Sequence, residues 1–98
     1  MTTWFVSRHH GAVEWARRQG FEVDRVVPHL QPEMIESGDV VIGSLPVNLA
    51  AEVCARGGRY CHLSLCLPAE LRGCELSADD LEVLGARVEM YRVERIES

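Results

Sequence analysis

The sequence is short of several things that would point to an elaborate protein. No apolar run approaches the roughly 20 residues a membrane helix needs, so no membrane partner is expected. No basic stretch leads into an apolar one near Met1, and the chain reads as cytoplasmic rather than secreted. Neither G-x-G-x-x-G nor the P-loop pattern occurs, so a dinucleotide or nucleoside triphosphate site is not indicated and no cofactor is expected. Basic residues are outnumbered: 10 Lys and Arg face 15 Asp and Glu, a formal net charge of -5. That balance argues against a duplex nucleic-acid binder, whose affinity rests on neutralising many phosphates. It leaves room for a small anion held by a local cluster. Four cysteines, Cys54, Cys61, Cys66 and Cys74, contain no C-x-x-C pair. They read as reduced thiols, several buried as small hydrophobes, and only weakly as a zinc set.

What remains is an ordinary globular composition. The chain has 98 residues, 47% of them hydrophobic and 26% charged, which suits one small domain with one core. Thr3 to Ser7 is β-branched and aromatic and reads as a first strand, leading into the polar turn Arg8-His9-His10-Gly11. Ala12, Trp15 and Ala16 share one apolar helical face, predicting a helix over 12–19 with Gly20 as its left-handed cap. Val23 to Val27 gives a second strand, ending at Pro28-His29. Pro32 opens a single helical turn through Ile35. Asp39 to Gly43 is a continuous apolar run of the kind found in covered parallel sheets. Pro46 to Arg56 follows as a helix, then a strand over Arg59 to Cys66. Ser77 and Asp80 form a capping-box pattern before a helix over Ala78 to Leu84. Arg87 to Ile96 reads as a charged edge strand. The alternation predicts an α/β domain: an open, mostly parallel, Rossmann-like sheet with helices on both faces.

Such sheets bind ligands beyond the carboxyl ends of their strands, near a switch in strand order. The sequence places Ser7, Arg8, His9, His10 and Gly11 after the first strand and His29 after the second. Gly43, Ser44, Leu45, Pro46, Val47 and Asn48 follow the third, and Ser64 lies at the end of the fourth. Two of these segments lead into helix starts, where free N–H groups and the helix dipole favour phosphate or carboxylate. Arg8 adds a forked cation suited to phosphate. Ser44 reads equally well as a helix cap, and Asn48 as a solvated first-turn residue. His62 lies inside a strand and reads as a packed or partner-bound histidine rather than a catalyst, Trp4 and Trp15 as core, and Arg17 and Arg18 as a solvated helix face.

Three segments are informative together: Trp4-Phe5-Val6-Ser7-Arg8-His9, Gly43-Ser44-Leu45-Pro46-Val47-Asn48-Leu49-Ala50 and Tyr60-Cys61-His62-Leu63-Ser64-Leu65. On these the chain resembles the small Csx-type accessory proteins encoded beside type III CRISPR systems, in the branch with a WFVSRH … G-[ST]-LP-[VI]-NLAAE pattern. Proteins of that group look like minimal CARF-like sensor domains that pair as homodimers. The resemblance implies binding of a cyclic oligoadenylate, cyclic tetra-adenylate above all, and a metal-independent ring-nuclease activity that removes this signal. His10 departs from the pattern. On this reading Arg8 and His9 are the catalytic candidates, with Arg8 on phosphate and His9 as general acid or base. Ser7, His10, Gly11, Gly43 to Asn48 and Ser64 are the ligand-binding ones. The alternatives are a non-catalytic cyclic-oligoadenylate sponge or sensor, a metal-dependent hydrolase using His9, His10 and His29, and a structural CRISPR subunit.

Overall fold

The computed structural model describes residues 1–66, 68–71 and 73–97. Strands β1 (Thr3–Val6), β2 (Arg25–Val27), β3 (Val40–Gly43), β4 (Arg59–Ser64) and β5 (Arg87–Tyr91) form one sheet in the order β2-β1-β3-β4-β5. The first four run parallel, and β5 pairs antiparallel with β4 at the edge. Helices α1 (His10–Arg18), α2 (Val47–Ala55) and α3 (Ala78–Val83) cover the sheet. Single 3-10 turns lie at Pro32–Met34 and Ala69–Leu71. The predicted α/β, mostly parallel sheet is therefore present, with helices on both faces.

Strand alternation divides the core in two. Phe5, Ile42, Cys61 and Leu63 point to one face, where they pack with Ala12, Val13, Trp15 and Ala16 of α1 and Ala78 and Leu81 of α3. Trp4, Val41 and Tyr60 point to the other, where Ala50 and Val53 of α2 meet them with Leu30 and Ile35. Phe5, Val41 and Val53 are wholly buried. Burying a side chain of this size contributes roughly 1.5–3 kcal/mol, so Phe5 and Val41 fix the register of the central strands and Val53 seats α2 on them. Both tryptophans are core, as expected.

Asp39 is a buried charge, 3% exposed, just ahead of β3. Its Oδ1 accepts the Thr2 N–H at 2.9 Å; its Oδ2 accepts the Glu36 N–H at 3.0 Å and the Trp4 indole N–H at 3.2 Å. The Glu36 N–H holds its carboxyl below the usual aspartate range; burial opposes this, and the Thr2 and Trp4 donors add to it. The clamp ties the starts of β1 and β3 together at the amino-terminal end of the parallel strands.

Several boundaries differ from the sequence reading. Helix α1 starts at His10 rather than Ala12, so His10 and Gly11 are helical and not part of a turn. Gly11 is there because α3 approaches: a Cβ on it would stand 2.1 Å from the Leu76 carbonyl oxygen. Pro46 precedes α2 as its N-cap instead of opening it. Strand β5 ends at Tyr91, short of Ile96, and Val93 turns back to pack beside Cys54 near α2. Of the cysteines only Cys61 is buried; Cys54 is half-buried, and Cys66 and Cys74 are exposed, so one rather than several is a buried small hydrophobe. All four are free thiols.

Candidate functional site at the carboxyl ends of the strands

In this strand order the chain leaves β1 for β2 on one side and arrives at β3 on the other. The crevice of a doubly wound sheet lies at that reversal, above the β1–β3 pair. Val6 pairs with Gly43, and the next residues on each strand open the two candidate loops. Gly43 allows this close approach, since a Cβ there would stand 2.8 Å from the Val6 carbonyl oxygen. Extending the same level across the sheet places Val27, Val6, Gly43, His62 and Glu89 side by side.

The loop after β1 is a compact serine turn. Ser7 Oγ accepts the His9 N–H at 3.0 Å, while the Ser7 N–H donates to the Val27 carbonyl at 3.0 Å. Arg8 is exposed, and its Nη2 lies 2.8 Å from His29 Nε2 at the end of β2. A guanidinium has only protons to give, so in this contact the His29 nitrogen accepts. His29 is thus brought to the first loop, which the sequence reading left open. His9 is the N-cap residue of α1, yet its side chain caps nothing.

The loop after β3 is fastened from below. Ser44 Oγ donates to the Leu63 carbonyl at 2.8 Å, so it bridges to β4 rather than capping α2. The Tyr60 hydroxyl accepts the Leu45 N–H at 2.9 Å, stands 3.1 Å from the Gly43 carbonyl and lies 2.6 Å from His62 Nδ1. Burial pushes the Tyr60 hydroxyl above its ordinary pKa, with the Leu45 N–H acting against it, so the group stays protonated. The His62 ring sits edge-on to two aromatics, 5.8 Å from Tyr60 and 5.9 Å from Tyr91 between centroids. His62 is half-buried and does have a partner, as its sequence position suggested. The identity of that partner was not readable from spacing alone.

The helix starts differ in a telling way. At α3, Ser77 Oγ accepts the Asp80 N–H and the Asp80 carboxylate accepts the Ser77 N–H, a complete capping box, as the sequence predicted. Neither α1 nor α2 has a side-chain cap, and neither carries an acidic residue in its first turn. Their leading N–H groups and positive dipole ends are left for solvent or a ligand.

Two grooves open nearby. One of about 590 Å³ runs along α1, lined by His10, Val13, Glu14, Arg17, Arg18 and Val26. A larger one of about 1250 Å³ lies between α2 and the segment after β5 and reaches Val47 and Asn48. Neither is lined by Arg8, His9, Gly43, Ser44 or Ser64; Arg8, His9 and Ser44 form an exposed shelf at the strand ends, and Gly43 itself is buried. Val47 and Asn48 are exposed, and Ser64 is half-buried at the end of β4. Arg18 does more than meet solvent: it pairs with Glu14 at 3.1 Å and with Asp79 of α3 at 2.7 Å. Among the described residues no three His, Cys, Asp or Glu side chains come together as a metal-ligand set, and no helix is long and apolar enough to cross a membrane.

Searches of curated proteins and of solved structures found no match. A family model does match, over residues 4–94, and so takes in every strand and helix apart from the first residue of β1. The chain belongs to the family described as "Putative CRISPR-associated protein (Cas_VVA1548)".

Proposed function

We propose that this CRISPR-associated chain is a cytoplasmic ring nuclease of type III systems. It binds cyclic tetra-adenylate as a homodimer and cuts it to linear di-adenylates with 2′,3′-cyclic phosphate ends. One observation carries the reading: the uncapped, acid-free starts of α1 and α2 flank the β1–β3 switch point beside Arg8. That is an anion site within a chain of net charge -5. It suits a small ring of phosphates better than a polymer, whose binding needs charge over a long track. Two copies of the shelf, related by a two-fold axis, match the symmetry of the ring.

In the proposed reaction a ribose 2′-oxygen bonds to the adjacent phosphorus and the bond to the 5′-oxygen breaks. Arg8 and the free N–H groups at Val47 and Asn48 hold the phosphoryl oxygens and stabilise their charge in the transition state. His9, with its ring unused for capping, gives the leaving 5′-oxygen a proton. Ser7 both accepts the His9 N–H and donates weakly to the His9 carbonyl at 3.4 Å, so it orders the loop and would meet a ribose or phosphate oxygen only by releasing that long bond. Ser44 has committed its proton to Leu63, so it serves a ribose hydroxyl as acceptor. Alignment of the attacking and leaving oxygens supplies much of the rate.

The test is purified protein incubated with excess cyclic tetra-adenylate and EDTA. Multiple turnovers to di-adenylates are expected, and Arg8→Ala and His9→Ala should each slow them. A stoichiometric, uncut complex would instead identify a sponge or sensor. Loss of turnover with EDTA would identify a metal-dependent hydrolase, and no binding of any cyclic oligoadenylate a structural subunit. Full turnover by both variants would remove Arg8 and His9 from the site.

A further inference from the structure

The hydrogen bonds at the Tyr60 hydroxyl bear on the protonation pattern of its neighbour. Three groups meet that one oxygen: the Leu45 N–H, the Gly43 carbonyl and His62 Nδ1. The amide can only donate and the carbonyl can only accept. Satisfying all three contacts at once sends the single hydroxyl proton to Gly43, and the bond to His62 is then complete only if Nδ1 carries a hydrogen. In the neutral ring that leaves the lone pair on Nε2. No hydrogen bond to Nε2 occurs among the described residues, and no side-chain nitrogen or oxygen among them is both buried and unpaired. Nε2 is thus not sealed from solvent. The ring is further held edge-on by Tyr60 and Tyr91. A histidine with one nitrogen locked by a buried partner and the other presented as an acceptor is arranged as a proton carrier.

Its place in the sheet puts His62 at the level of the strand ends that carry the candidate site. His62 pairs with Gly43, and Gly43 with Val6, so two strand spacings of about 4.8 Å separate His62 from the end of β1. Gly43 contributes no side chain between them. We infer that His62 is the general base of the site, taking the 2′-hydroxyl proton on Nε2, with Tyr60 as the residue that positions it. As the proton moves to Nε2, the 2′-oxygen bonds to phosphorus, the bond from phosphorus to the 5′-oxygen breaks, and that oxygen takes the proton of His9. Exchange with water resets both rings, so nothing beyond the substrate is consumed. The Nδ1 bond to Tyr60 persists in both charge states, since the imidazolium also donates from Nδ1.

This inference rests on the proposed reaction, and its test separates the two. The tautomer is read by two-bond proton–nitrogen correlation NMR on the ligand-free protein, well above the imidazole titration. A pyrrole-like Nδ1 and a pyridine-like Nε2 are expected for His62, and Tyr60→Phe should abolish that preference. In single-turnover cleavage of cyclic tetra-adenylate, His62→Gln should lose on the order of 10²- to 10⁴-fold in rate while still binding the ring. Tyr60→Phe should lose less, and its pH–rate profile should shift. A wild-type His62 with its hydrogen on Nε2 overturns the inference whatever the turnover. So does His62→Gln cleaving at the wild-type rate. A wild type with the expected tautomer that binds without cutting overturns the proposed reaction, and the base role with it.

Discussion

Replacing Asp39 with Asn tests how the start of the sheet is held. The change keeps shape and volume but removes the charge and one acceptor. If the new carbonyl takes the place of Oδ2, it still receives the Glu36 and Trp4 donors, while the amide NH2 faces the Thr2 N–H. One bond is lost and two lose their charge assistance. Hydrogen bonds to charged groups contribute about 1.5–3 kcal/mol against about 1 kcal/mol for neutral ones. The sum for one lost and two weakened bonds is on the order of 3 kcal/mol. In a chain of this size each kcal/mol moves Tm by roughly 4–8 °C, so Tm should fall by about 12–24 °C. The pH dependence gives a sharper check. Asp39 is held below its ordinary pKa in the fold, so its contribution is complete above the unfolded value of about 3.9. It is lost as pH falls through the lower folded value. The gap in Tm between wild type and Asp39→Asn should therefore be full at neutral pH and begin to close only below about pH 4. Thermal melts followed by circular dichroism across pH 2–8 would show this. A gap under about 3 °C at pH 7, or one that does not change with pH, would refute the clamp.

Gly11→Ala places a Cβ 2.1 Å from the Leu76 oxygen and must push α3 away; a loss of about 2 kcal/mol or more is expected in urea unfolding, despite the better helix propensity of alanine. Ser77→Ala removes the α3 cap and should cost about 1 kcal/mol in the same assay, with cyclic tetra-adenylate binding unchanged. In a native thiol titration Cys66 and Cys74 should react quickly, while Cys61 reacts only on unfolding, because burial both shields its thiol and pushes it up from its ordinary pKa.

Much of the fold was legible because its signals are local. The apolar run before Gly43, the left-handed Gly20 after α1 and the Ser77–Asp80 box each act within a few residues. Strand order was not legible, since it depends on which faces the crossovers cover. The start of α1 was missed because its first residues, His10 and Gly11, carry no apolar periodicity; packing against Leu76 and Ser77 places them. The candidate site was half legible. Arg8, His9 and Ser44 stand at strand ends, which can be counted from sequence. The links from Arg8 to His29 and from Tyr60 to Leu45 join residues 21 and 15 positions apart, and only the register of the sheet brings them together.

The bare starts of α1 and α2 have a thermodynamic consequence. Each forgoes a cap of about 1 kcal/mol that α3 has, so the empty chain is less stable than its sequence could make it. Occupancy by an anion would return that stability, coupling ligand binding to the melting temperature. A sequence drifting toward a sturdier resting state would put serine or aspartate at position 9 or 46, and in doing so would close the two helix starts to any anion.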